Sequence, residues 1–332
     1  MELISYNPSQ NGKGQNHALS VAVNNQQEQP QKPTFIEANT VAASLSEIKG
    51  QHIIPTYKDS TPLISHADFV EVAAETVHGI FSPERILAPE VRVSHPICGR
   101  IPESKNKPVK ELEDWEKTLY YERMAFVLTI PSISDTIGGE TVFMTVGGVR
   151  KYDGSSLRTG ADQHFKVFAG FQVKVCCNLC VWTDGLLSNV KVKTLQQLKE
   201  AIYGLLCEYD AIQQVKRMED MLRYSLTEQQ VAQFLGKARL YHYLPSHLKQ
   251  LYPEFLFTDT QLNSVARDYY SCENFGREIS GELSLWKLYN LLTASNKSSY
   301  IDLLLPRAAN ASAFVGGVAT ALEQGNHHWF LS

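Results

Sequence analysis

The sequence predicts an α+β fold: an N-terminal antiparallel β-sheet with a flanking helix, followed by a mostly helical C-terminal half. Three observations lead there. Between residues 90 and 182, segments rich in β-branched and aromatic residues place apolar side chains at every second position, the period of a strand. Beyond Thr194 the apolar spacing widens to three and four, the period of a helix. The two kinds of segment come in blocks instead of alternating, which is the order of an α+β protein and not of a parallel α/β sheet.

Taken in order, residues 5–35 are rich in Asn, Gln, Ser and Gly with few large apolar side chains, too little to offset the entropy of ordering. The chain therefore divides into a disordered polar tail (1–45), an α+β sheet region (46–193) and a helical region packed on it (194–332). HIIPTY (52–57) and PLIS (62–65), joined at Lys58-Asp59-Ser60, read as a hairpin. Ser65-His66-Ala67-Asp68 has the form of a capping box, and Phe69, Val72, Ala73, Thr76, Val77 and Ile80 then follow at helical spacing, with a stop expected between Gly79 and Pro83. EVRVSHPI (90–97), YERMAFVLTIPSI (121–133) and ETVFMTVGGV (140–149) read as strands, the last two joined through the glycine-containing segment 134–139. LQQLKEAIYGLLCEY opens the helical half. Capping boxes at Thr227 and Thr258 start two more helices, and LSLWKLYNLLT (283–293) and a run from about Asn310 to Leu322 complete it.

The 332 residues carry a formal net charge of −4 and are 43% hydrophobic, enough for a substantial core and with no global attraction to nucleic acid or acidic membranes. MELISYNPSQNGKGQNHALS has neither the basic start nor the apolar run of a secretory leader, and no long apolar stretch suits a bilayer. The expectation is a cytoplasmic chain without a membrane partner. Its six cysteines are expected as thiols.

Residues 165–182, FKVFAGFQVKVCCNLCVW, hold three of those cysteines in five positions. Apolar residues occupy every odd position, so the segment reads as one continuous strand. At about 3.3 Å per residue, Cys176 and Cys180 then share a face roughly 13 Å apart. No disulfide fits that separation. The remaining metal reading groups His95 and Cys98 with Cys177 and Cys180, a four-ligand set for zinc. Buried strand thiols are the simpler account, since a free cysteine behaves as a small hydrophobe. No cofactor is expected.

GGVRKYDGSSLRTGADQHFKVFAGF interleaves cations with rings. Arg150, Lys151, Tyr152, Arg158, Lys166 and Lys174 form the candidate nucleic-acid-binding set, cations for phosphates and ring faces for bases. The competing reading makes Gly147-Gly148 and Asp153-Gly154 turns and puts the aromatics in the core. Asp162, His164 and Asp184 sketch a hydrolytic cluster, but no P-loop, nucleophile elbow, HExxH helix or EF-hand is present. His327-His328 lies at the chain end, where fraying is the default. Asn296, Lys297, Ser298 and Ser299 follow an apolar helix and are read as a polar knot that caps it and joins the two halves.

SHPICGRIPE, WEKTLYYERMAF, TVGGVRKYDG, HFKVFAGFQVKVCCNLCVWTDG, FTDTQL and SLWKLYNLLTASNKSSYID together closely resemble an uncharacterised domain-of-unknown-function family of Bacteroidetes proteins, from about residue 45 to 320. More distantly, the order YDGSS, VKVCCN, LYNLLT looks like the phage/plasmid-like protein family, with Cys177-Asn178 and Tyr289-Asn290 in the matching places. The resemblance implies a setting on phages, plasmids or integrated elements and no reaction. The chain departs from it in its long tail and its 98–118 insertion. The expected function is a non-enzymatic protein of a mobile element, with single-stranded DNA or a DNA-processing protein as partner. The rival is a protein-interaction or anti-defence module that uses an apolar groove within 227–300.

Overall fold

A computed structural model describes residues 33–50, 64–152 and 160–331 of the chain. The expected hairpin of residues 52–65 lies outside the described residues as far as residue 63, as does the polar tail as far as residue 32. The tail does not extend to 45. Phe35 and Ile36 are fully buried, strand β1 (Val41–Ala42) pairs with Val93 and Arg92, and helix α1 (Leu45–Lys49) carries a Ser44–Glu47 capping box. An apolar pair in a polar stretch disappears in an average, yet two large side chains suffice when a sheet face is there to receive them.

Helix α2 (His66–Ile80) starts on the Ser65–Asp68 capping box and buries Phe69, Val70, Ala73 and Val77. Residues 90–97 are not one strand. β2 (Glu90–Val93) belongs to the main sheet, whereas β3 (Pro96–Arg100) pairs with β4 (Lys117–Tyr121) in a separate two-stranded ribbon. Pro96 has no N–H to continue the first ladder. The 98–118 insertion is the body of this ribbon and the three short 3₁₀ turns between its strands.

β5 (Arg123–Ile137) and β6 (Glu140–Lys151) are joined by Gly138 and Gly139, both at positive φ (59° and 88°), the two-residue hairpin that matches strand twist. Gly147 and Gly148 are not turn residues. They lie inside β6, where a Cβ on Gly148 would stand 2.3 Å from the Phe69 ring, so the strand is bare there to let α2 settle on it.

β7 (Gln163–Val173) pairs along β6, and β8 (Leu179–Cys180) and β9 (Leu186–Val192) pair with successive parts of β7. The sheet is antiparallel, in the order β1-β2-β5-β6-β7-β8 with β9 also on β7. The single strand expected through Trp182 is therefore a hairpin. Val173 donates to Asn178 O (3.0 Å) and Cys177, at φ 57°, donates to Val173 O (2.8 Å). The apolar alternation survives the turn because both arms are buried, and so periodicity alone hid the reversal.

The helices are α3 (Leu195–Glu208), α4 (Ala211–Asp220), α5 (Glu228–Tyr243), α6 (Ser246–Lys249), α7 (Asp259–Ser271), α8 (Leu285–Asn296) and α9 (Ile301–Gln324). Strands β10 (Ser225–Leu226) and β11 (Leu283–Ser284) pair among them. Thr194, Thr227 and Thr258 each stand at the start of the helix expected from them. The fold class is α+β with an antiparallel sheet.

Two cores flank the sheet. The larger packs α2, α3 and the C-terminal helices against one face. The smaller gathers Phe35, Ile36, Ala125, Val127, Val149 and Phe168 under Ile301, Leu304, Leu305 and Ala308 of α9. The chain end is pinned, not frayed: Phe330 is fully buried, 5.0 Å from the Phe314 ring and 5.7 Å from Tyr241. Among the described residues no helix is long and apolar enough to cross a membrane.

Candidate functional site

Register decides which candidate residues can act together. Val149 faces Lys166 across β6 and β7, so Lys151, His164 and Lys166 project from the face that α9 partly covers, while Arg150, Tyr152 and Phe165 project from the opposite one. The six-residue nucleic-acid set is thus split between two sides of the sheet. Arg158 lies outside the described residues.

On the inner side Arg150 is 1% exposed. Its guanidinium lies 4.6 Å from the Tyr152 ring and 4.5 Å from the Phe165 ring, and Nη2 donates to Gln163 Oε1 at 2.6 Å. Among the described residues no carboxylate accepts from it, and burial lowers its pKa to about 10. Tyr152, also buried, stacks on His66 at 3.9 Å and its hydroxyl accepts the His66 N–H at 2.9 Å, closing the first turn of α2. Arg150 and Tyr152 are core residues and cannot meet a nucleic acid: strand alternation, not proximity in sequence, sets the face. Phe165 and Phe168 are buried as well, so no phenylalanine or tyrosine ring among the described residues of this stretch reaches the surface.

On the outer side Lys151, His164 and Lys166 line a groove of about 350 Å³ with Ser188, Asn189 and Asp302. Lys166 is half-buried, which lowers the pKa of its amine. Its Nζ donates to the Asp302 carbonyl at 2.9 Å. That carbonyl is the one left without an intrahelical donor by Pro306, four residues on in α9. The last helix, expected from about Asn310, begins nine residues earlier in the structure, at Ile301: Lys166 supplies the donor the proline lacks. Arg123 holds the Asp302 carboxylate at 2.7 Å, and Lys151 lies 3.8 Å from Glu122. Lys174 shares the outer face but stands eight residues along from Lys166, roughly 26 Å away, over the ring of Phe143.

The proposed metal set does not converge. Among the described residues no group of three or more His, Cys, Asp or Glu side chains can hold an ion. Cys98 is exposed on the β3–β4 ribbon, beyond His95 at its root, while Cys180 is sealed under the sheet and Cys177 sits in the β7–β8 turn, donating its thiol to Pro33 O at 3.3 Å. Burial pushes the Cys176 thiol up to about 11 and the Cys180 thiol higher still. The sketched hydrolytic cluster is dispersed too: Asp162 lies 3.8 Å from Lys193, and Asp184 binds Arg217 at 2.7 Å.

The polar knot is a joint. Asn296 donates to Leu304 O (2.8 Å), Arg307 to Ser299 Oγ (2.6 Å) and Leu256 O (2.9 Å), and Gln261 to Ser298 Oγ (2.9 Å). Lys297 reaches the Cys176 carbonyl, and its own carbonyl accepts from Glu37 and Ala38. Asn178 donates to Asn290 O at 3.1 Å. The two asparagines singled out by their motifs thus touch each other, in a buried structural contact. In the rival 227–300 region, Leu240 and Tyr243 stand exposed one turn apart on α5, while Tyr270 is tied to Glu228 at 2.7 Å.

A second cavity, of about 420 Å³, opens between the end of α4, the Trp182–Thr183 corner and the middle of α9. Sequence reasoning missed it because α4 was not recognised: its helix is short, and its only start signal is Asp210, whose side chain accepts from Gln213 N.

No curated protein and no solved structure matches the chain. The phage/plasmid-like similarity finds no support beside the family model that matches the chain. That model, described as "Domain of unknown function, B. Theta Gene description (DUF3871)", matches residues 17–331, and the chain belongs to this family.

Proposed function

We propose that the chain is a non-catalytic binding protein that seats a phosphate of a single-stranded nucleic acid in the groove beside the start of α9. The observation supporting this reading is the gathering of Lys151, His164 and Lys166 on one open groove at the N-terminal end of a 24-residue helix that has no side-chain cap, where orphan N–H groups and the helix dipole favour an anion. Asp302 opposes it only weakly, because Arg123 already holds that carboxylate. With the aromatic side chains of the stretch buried, the contact is to backbone phosphate and independent of base.

Two lysines make a short footprint. The salt slope of binding to single strands should be shallow, roughly −1.4 at about 0.7 per phosphate neutralised. Anisotropy of a labelled oligothymidylate at low and moderate salt tests this. Binding should be present at low salt, should fall in Lys151→Glu, and should be unchanged in Lys174→Glu at the far end of the strand. No binding at low salt, or equal losses in the two variants, overturns the proposal.

A further inference from the structure

The cleft at the end of α4 is separate from the basic groove and different in chemistry. Arg217, Arg223, Asp220 and Glu323 line it, so its formal charges cancel, unlike those around Lys151 and Lys166. We propose that this cleft binds a small zwitterion bearing one carboxylate and one ammonium group, in the simplest case a free α-amino acid.

The floor is a stretch of bare helix. Ser312, Gly316 and Thr320 recur every fourth residue of α9 and so share one face. Nothing lies within 4 Å of where a Cβ of Gly316 would stand. A glycine inside a helix lowers its stability relative to alanine, and no neighbouring protein atom requires the missing methyl. The empty place belongs to the cleft, where it lets a compact group approach the helix backbone.

The walls offer two charges of opposite sign. Arg217 is already engaged, by Asp184 at 2.7 Å and by Gln213 at 3.1 Å. Arg223 is different: exposed, it is held among the described residues only by its near neighbour Asp220 at 3.0 Å, a surface pair of small worth. Its planar fork suits a carboxylate. Glu323 enters no ion pair among the described residues and faces the same cleft, where it can receive an ammonium group. Trp182 and Tyr224 add ring surface for an apolar side group.

The full chain can be screened by thermal denaturation against the free amino acids, with inorganic phosphate as a comparison probe. At least one amino acid should raise Tm saturably at millimolar concentration, and phosphate should not. By calorimetry, Arg223→Gln and Glu323→Gln should each weaken that binding about tenfold. Gly316→Ala separates fold from site: the ligand-free variant should melt higher, because the helix gains propensity, while binding weakens about tenfold as the methyl fills the floor. No shift with any amino acid, or a Gly316→Ala protein that is more stable and binds unchanged, overturns the proposal.

Discussion

Arg150 is a cation enclosed by two rings and one amide, with Nε and Nη1 lacking an acceptor among the described residues. Its neighbour His66 is equally enclosed. His66 Nε2 donates to the Tyr121 carbonyl at 3.0 Å, which places a proton on Nε2 in either charge state. Burial first, and then the Arg150 charge, holds the imidazole well below its ordinary 6.5, with the Tyr121 carbonyl opposing. The folded chain therefore refuses a proton that the unfolded chain accepts. Stability is fully present above pH 6.5 and falls as pH drops below it, by up to about 1.4 kcal/mol per pH unit, until the folded ring titrates. Buried His328, also lowered by burial, adds in the same direction. Urea unfolding of wild type and His66→Gln at pH 7.5 and pH 5.5 checks this. The variant should lose less stability between the two conditions, and an equal loss in both proteins would refute the assignment. None of this was legible in the sequence, because Arg150 and Lys151 are adjacent letters and only the pairing of strands tells which of them faces water.

At the scale of the element, α9 shows how a local rule is overridden. Pro306 forbids one backbone hydrogen bond, and a helix is expected to end there. It continues because Lys166, from a strand on the far side of a loop, donates to the freed Asp302 carbonyl. Lys166→Met should therefore destabilise the fold by about 1–3 kcal/mol, the worth of a half-buried hydrogen bond from a charged donor. Pro306→Ala restores the N–H, so the same lysine substitution should cost distinctly less in that background. A double-mutant cycle by urea denaturation reads the difference directly, and additive losses would show that the two residues act independently. Helix starts at Ser65, Thr194, Thr227 and Thr258 were readable since the signal for each lies within four residues. The turn at Cys177 was not, because the apolar alternation runs through it unbroken, and the proline-bridged helix was not, because its bridging donor comes from a distant strand.

Over the whole molecule, residues 33–332 form one compact unit, and the division into a sheet region and a helical region does not mark a seam. The contacts of Asn178 with Asn290, of Lys297 with Cys176 and of Arg307 with Leu256 cross it. Asn178→Ala should cost about 1–3 kcal/mol by leaving buried acceptors unsatisfied and should still unfold in one step. Trp182 and Trp286 both lie within 6.0 Å of the Tyr289 ring, so tryptophan fluorescence reports on the junction while far-ultraviolet dichroism reports on all helices and strands. Coincident urea transitions are expected, and separated ones would mean two independently folding halves. The polar knot was visible as a motif; which segments it ties was not.

The pairing of Val149 with Lys166 has one more consequence, for heredity. Because side chains alternate, inserting or deleting a single codon in β6 ahead of Arg150 would turn Arg150 outward and drive Lys151 into the oily interior unless a bulge absorbed the change. Length changes tolerated there come in even steps or are taken up in a bulge, as the shifted register at Phe165–Val167 already is, so this hairpin acts as a parity lock on the gene.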